Sequence, residues 1–180
     1  MSIPIKVARK RGKVRDMEAG DLLFGRRIRQ NHALEHATVT ILAQRLPGLR
    51  VSARSNSRGF VIFADLDLVE VRRAADEALR RLQAGERELA IHPNCGTNLA
   101  VGTSLAMIGS LFALTAMRTR TRIASAVVSS MAGMAAARPL GTVVQRYVTT
   151  LPELEDVRIA SVARRRRLGF AAVEVLTRVD

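Results

Sequence analysis

Two histidines and a glutamate stand at helical spacing in His32-Ala33-Leu34-Glu35-His36, and the third histidine shares the turn His92-Pro93-Asn94-Cys95 with the chain's one cysteine. Every imidazole and thiol in the sequence therefore falls in one of two short motifs. Residues four apart on an α-helix lie on one face, so His32 and His36 can aim nitrogens at a single ion. Glu35 flanks that face. The order is the inverse of the H-E-x-x-H zincin motif, as in H-x-x-E-H metallopeptidases. In such a site zinc lowers the pKa of a bound water to about 7, and the glutamate takes its proton. Two histidines leave the ion short of donors. The Cys95 thiolate is the natural third ligand, because zinc accepts mixed nitrogen and sulfur donors. His92 competes for that place or supports it, and His92 and Cys95 could also chelate together. Zinc is the expected cofactor, and another divalent metal would suit the same donors.

A closed shell of three histidines and a cysteine would mark a structural or sensing metal, whereas three ligands and an open position would mark a catalytic one. Glu35 tilts the balance towards catalysis, since a structural site has no use for a carboxylate beside its metal. Gly96-Thr97-Asn98 follows the cysteine and starts an apolar stretch. A helix beginning there offers free N–H groups and positive dipole to a developing oxyanion. Thr97 and Asn98 are candidate side-chain donors to an oxyanion or substrate, with helix capping as their plainer role.

These motifs must be positioned by one ordinary core, for which 180 residues suffice. A lone cysteine excludes an internal disulfide framework and fits a reducing compartment. The basic run Lys6, Arg9, Lys10, Arg11, Lys13, Arg15 is not followed by the apolar segment of a signal peptide. The formal charge of +13 favours acidic partners, either nucleic acid or the anionic cytoplasmic leaflet. Aromatic residues make up 3% of the chain and tryptophan is absent. Stacking surfaces for single-stranded nucleic acid are therefore scarce, which argues against that partner.

No charged side chain occurs between Glu88 and Arg118. Within that gap, residues 98–117 are long enough to span a bilayer, since about 20 helical residues cover the roughly 30 Å hydrocarbon core. Arg118, Arg120 and Arg122 make a basic turn. A second uncharged stretch, 123–137, resumes over 140–145 after Arg138-Pro139. It reaches spanning length if Pro139 kinks the helix and Arg138 snorkels. Gly102, Ala106, Gly109, Ser129 and Gly133 would let the two backbones approach closely. The expectation is a two-helix transmembrane hairpin over 97–146, with a basic disordered or membrane-surface tail at 1–18. A cytoplasmic α+β domain comprises 19–96 and 147–180.

In that domain, 21–46 reads as a helix stopped by Pro47-Gly48. Residues 49–55 and 59–64 read as strands joined by Asn56-Ser57-Arg58-Gly59. Residues 68–84 read as a helix capped by Asp67 and ended by Gly85. A short strand is expected at 88–91, and a last β-hairpin over 157–163 and 170–179, turning at 164–169. The fold class is thus α+β, a small mixed domain in the order α-β-β-α-β … β-β, interrupted by the membrane hairpin. The run Arg164, Arg165, Arg166, Arg167 reads as a solvated turn, or as a contact to anionic lipid headgroups at roughly 1 kcal/mol per residue. Arg58-Gly59-Phe60 could present a strand edge to an extended peptide.

With these residues in view, the chain resembles a bacterial membrane-protein family catalogued as a domain of unknown function. The resemblance rests on Asn31-His32-Ala33-Leu34-Glu35-His36-Ala37-Thr38, Arg58-Gly59-Phe60 and His92-Pro93-Asn94-Cys95-Gly96-Thr97-Asn98, followed by two apolar stretches, and covers roughly residues 20–165. It is similar also to a second bacterial membrane family, described as predicted metal-dependent enzymes, with H-x-x-E-H before H-P-x-C-G-T. The resemblance implies a metal site of His32, His36 and the His92/Cys95 turn, and no particular substrate. Pitrilysin-type H-x-x-E-H peptidases are a more distant likeness. They are much larger and take a downstream glutamate, for which Glu70, Glu77, Glu86 and Glu88 are the candidates here.

The reading that follows is a zinc-dependent hydrolase, a peptidase or amidase, at the membrane surface. Glu35 is its base, and a peptide or membrane protein its substrate. The alternatives are a non-catalytic membrane protein stapled by a structural or sensing metal, and a basic membrane adaptor for RNA or the ribosome. A multi-pass location in the cell membrane, with the polar domain cytoplasmic, and a homo-oligomeric state complete the expectations.

Overall fold

The structure is a computed structural model that describes residues 19–167 and 169–180, so the tail expected at 1–18 lies outside the described residues. Its elements run α1 (Ala19–Phe24), α2 (Arg26–Arg45), β1 (Ser52–Asn56), β2 (Gly59–Phe63), α3 (Leu68–Gln83), α4 (Gly96–Ala116), α5 (Arg122–Ala135), α6 (Ala137–Val144), β3 (Val157–Arg167) and β4 (Phe170–Val179). The architecture is a small mixed α+β domain on a four-stranded antiparallel sheet, ordered β1-β2-β4-β3. Helices α2 and α3 pack against each other and against the sheet.

Alternation builds this core. Phe60 and Ile62 of β2 and Val173 and Val175 of β4 turn one sheet face inward and are fully buried. They meet Leu34, Ile41 and Leu42 of α2, and Val71, Ala75 and Leu79 of α3. A two-residue period on the strands thus faces a 3.6-residue period on the helices. Asp67 caps α3, its carboxylate accepting from the N–H groups of Val69 and Glu70 at 2.9 and 3.0 Å. Gly59 is irreplaceable for a steric reason: a Cβ there would sit 1.9 Å from the Val175 carbonyl oxygen. Gly59→Ala is expected to cost about 3 kcal/mol by forcing β2 away from β4. Chemical denaturation followed by circular dichroism measures that loss.

Several expected elements are corrected. The helix expected over 21–46 is two helices, because Gly25 adopts a left-handed φ of 75° between α1 and α2. The strand expected at 88–91 is a 3-10 turn, Arg87–Ala90. Its Arg-Glu-Leu-Ala composition lacks any β-branched residue and favours a helical turn. The arginine run lies in β3 rather than in a turn, with Arg167 paired opposite Phe170. β3 is an edge strand, where charged side chains are tolerated. Two of the arginines are engaged: Arg164 pairs with Asp65 at 2.6 Å, and Arg165 with the buried Glu174 at 3.0 Å. Arg58-Gly59-Phe60 is not an edge, since β2 is paired on both sides.

The apolar segment is also more broken than a two-helix hairpin. Among the described residues, helix α4 alone is long and apolar enough to cross a membrane, and only 11% of its most apolar window is buried. The return limb divides at Ala136 into α5 and α6, bent by 50°, and reaches the same length only as a pair. The break lies ahead of Pro139, whose ring excludes the carbonyl four residues back and whose missing N–H falls in the first turn of α6. A π-helical turn, Gln145–Thr149, then returns the chain to the domain. Helices α4 and α5 pack through small residues. A Cβ on Gly133 would lie 2.4 Å from the Ala106 nitrogen, and one on Gly109 3.0 Å from the Ser129 Cβ. Ser110 and Ser130 hydroxyls join across the contact at 2.6 Å.

Candidate metal centre

Helix α2 brings His32 and His36 to Cys95 at the start of α4, and Glu35 to Ser55 of β1. Two side chains anchor this face. Asn31 donates to the Asn56 carbonyl at 2.7 Å and accepts from the Thr177 hydroxyl at 2.7 Å, fastening α2 to the sheet. The buried Arg29 pairs with Asp21 at 2.7 Å and donates to the Tyr147 and Thr150 carbonyls, fastening α2 to the end of the apolar segment.

The histidines are oriented by backbone. His32 Nδ1 lies 2.9 Å from the Thr149 carbonyl oxygen, and His36 Nδ1 lies 2.7 Å from that of Ala90. A carbonyl can only accept, so each Nδ1 carries the proton and each Nε2 keeps a free lone pair. A backbone carbonyl fixing one nitrogen while the other faces an ion is the usual support of a metal-ligating histidine. The two rings meet edge-on with centroids 4.3 Å apart. His32 Nε2 lies 3.5 Å from Cys95 Sγ. One donor atom each from His32, His36 and Cys95 lies within 4.8 Å of the other two.

Cys95 is also the N-cap of α4, its sulfur accepting from the Thr97 N–H at 3.4 Å, with the Thr97 hydroxyl equally near. Burial pushes the Cys95 thiol up, but the hydrogen bond and charge of His36, with both Thr97 groups, bring it below its ordinary range. A helix N-terminus favours a thiolate in the same way. Burial holds the His36 imidazole below its usual value, against the pull of Cys95. The lowered His36 favours neutral imidazole, the form that ligates a metal, while the help that Cys95 draws from the His36 charge is present only when that ring is protonated.

Glu35 is buried beside this cluster and accepts a hydrogen bond from the Ser55 hydroxyl of β1. Burial raises its carboxyl above the ordinary range, and Ser55 and the charge of His32 only partly offset that. Histidines, carboxylate and cysteine all line one cleft of about 890 Å³. The segments Asn94–Thr97 and Leu49–Ser55 line it as well.

His92 stands apart from the cluster. Its Nδ1 accepts from the Asn94 N–H at 3.2 Å, and its ring centroid is 5.8 Å from that of His36. Burial holds its imidazole low. Asn98 does not face the cleft as a free donor. Its Nδ2 donates to the Pro93 carbonyl at 2.7 Å, and its Oδ1 accepts from Gln145 Nε2 at 2.7 Å. Gln145 in turn accepts from the His92 N–H at 2.9 Å. Sequence reasoning passed over Ser55 and Gln145. Gln145 left a signal, being the single amide side chain in the weakly charged stretch 123–145. Ser55 left none, because only folding brings β1 to Glu35.

Residues 27–162 match a family described as Domain of unknown function (DUF6391). An uncharacterized protein of the cyanobacterium Picosynechococcus sp. is 37% identical over 141 residues, covering 72% of this chain and 67% of the relative. No solved structure matches the chain.

Proposed function

The chain belongs to the family described as Domain of unknown function (DUF6391), and we propose that it is a zinc-dependent hydrolase of amide bonds at a membrane surface. The observation that carries this reading is the convergence of His32, His36 and Cys95 beside a buried carboxylate and an open cleft. The donor set fits zinc: two imidazoles with free Nε2 lone pairs and a thiol biased towards thiolate. Three protein donors leave a tetrahedral ion one position for water or substrate, the pattern of catalytic rather than structural zinc. Bound there, zinc would supply a Lewis acid and a water with a pKa of about 7.

The residues of the chain do the rest. Glu35 takes the proton of the attacking water, and its raised carboxyl suits a base that must later release that proton. The water oxygen forms the new bond to the carbonyl carbon, the C–N bond breaks, and the proton held by Glu35 passes to the leaving amine. Ser55 positions the Glu35 carboxylate. Gln145 and Asn98 hold the Cys95 turn.

The membrane part of the proposal is supported by the mostly exposed α4 and by the apolar residues that α5 and α6 present, such as Ile123, Val128, Met131 and Val143. A soluble protein seldom leaves a contiguous apolar surface of that size bare. With α4 starting beside Cys95, the metal would lie at the membrane–water boundary, with the α+β domain on the cytoplasmic side. Arg166, exposed on the edge strand, makes no ion pair among the described residues and suits anionic headgroups. A second reading, a metal staple without catalysis, draws on the same ligands, because they join α2 to α4.

The reading is tested with full-length protein in detergent, loaded with zinc, acting on a proteome-derived peptide library. New peptide termini should appear, vanish with 1,10-phenanthroline and return with added zinc. Cleavage that survives complete removal of the metal excludes the proposal.

A further inference from the structure

We infer that the substrate is an extended polypeptide that pairs as a strand with the free edge of β1, an inference that rests on the hydrolase reading above. The sheet has two edges, β1 and β3, and they are treated differently. β3 is blunted by its arginines and by an irregular register between Ile159 and Ser161, two devices that stop edge pairing. β1 reads Ser-Ala-Arg-Ser-Asn, with small side chains and one charge.

The position of that open edge is specific. Every residue from Leu49 to Ser55 lines the cleft that holds the metal cluster. A single strand face would contribute alternate residues only. Within the strand, four successive residues, Ser52 to Ser55, line it, as they do when a backbone edge opens into a cleft. Along an edge strand, alternate residues direct N–H and C=O groups away from the sheet, and an added strand satisfies them. The four strand residues that line the cleft, Ser52 to Ser55, offer about 14 Å of edge at about 3.4 Å per residue.

The same strand also touches the chemistry. Ser55, on the α2 side of β1, holds Glu35. A peptide in register with β1 therefore passes its carbonyl groups alongside the base and the three donors, in the cleft that Asn94–Thr97 also lines. Ala53, the other residue on that side, is too small to obstruct it. An unfolded or juxtamembrane stretch of polypeptide supplies the alternating backbone groups that such pairing needs.

The test uses proline substitutions at Ala53 and Arg54, one of which must have its N–H directed to the open edge. The proline that retains zinc and the wild-type melting temperature identifies the outward position. That variant is expected to cleave the peptide library at least ten-fold more slowly than wild type. As a measure that does not depend on proline tolerance, Glu35→Gln protein is followed by hydrogen exchange. The amides of β1 should exchange more slowly when the library is added. Unchanged cleavage in the outward variant, or unchanged exchange in β1, overturns the inference. Wild-type protein that hydrolyses the small anilide p-nitroacetanilide but no peptide also overturns it, while leaving the amide-hydrolase reading standing. Failure on both substrates removes the hydrolase reading itself.

Discussion

Replacing Glu35 with glutamine is expected to lower peptide cleavage by roughly 10²–10⁴-fold, the usual contribution of a general base, while the zinc content stays at the wild-type level. The carboxylate is not among the three converging donors, so its loss leaves the ligand set intact. Glutamine keeps the volume and can still accept the Ser55 hydrogen bond, so the buried position stays filled and satisfied. Only the capacity to take a proton is removed. If Glu35→Gln protein loses zinc in parallel with activity, the carboxylate serves the metal and the general-base role is wrong. If it keeps both zinc and full activity, the site is not catalytic through Glu35, and the metal-staple reading gains.

The second large effect concerns the ligands. His36→Ala or Cys95→Ser should weaken zinc affinity by more than about 100-fold, beyond the 10–100-fold typical of outer-shell partners. His36 is buried, and its alanine variant leaves the Ala90 carbonyl without its donor, so a fall in melting temperature accompanies the loss. Cys95→Ser is the cleaner variant. It retains an oxygen able to cap α4, so the fold should survive while the soft donor is lost. His92→Ala provides the contrast. With Nδ1 engaged by the Asn94 N–H and the ring outside the cluster, its removal should leave zinc content unchanged. Competition with a chromogenic chelator measures all three. Equal weakening in His92→Ala and Cys95→Ser would contradict the arrangement of the site.

These expectations draw unequally on what is visible in the chain. Local patterns speak for themselves: the Asp67 cap and Gly85 bracket α3, and the turn at Ser57-Arg58 closes β1 on β2. The spacing of His32, Glu35 and His36 places them on one helix face before any tertiary contact is known. Longer-range matters are silent. The order β1-β2-β4-β3 joins residues more than a hundred positions apart, and no local signal announces that β4 inserts beside β2. The Arg87–Ala90 segment is misread as a strand because four residues carry too little periodicity to separate strand from turn. The arginines of β3 look like a loop, since edge strands relax the rule that strands are apolar. In the site, the sequence favours Cys95 as third ligand and leaves His92 as a competitor or support. The choice depends on which side of a four-residue turn faces α2, and the buried amides Asn98 and Gln145 set that turn.

The most direct test of the central claim is X-ray absorption at the zinc edge of the zinc-loaded, full-length protein. The account predicts two imidazole nitrogens, one sulfur and one exchangeable oxygen around the metal, with the sulfur lost in Cys95→Ser. A shell without sulfur, a fourth protein ligand closing the open position, or a protein that retains no zinc would contradict it.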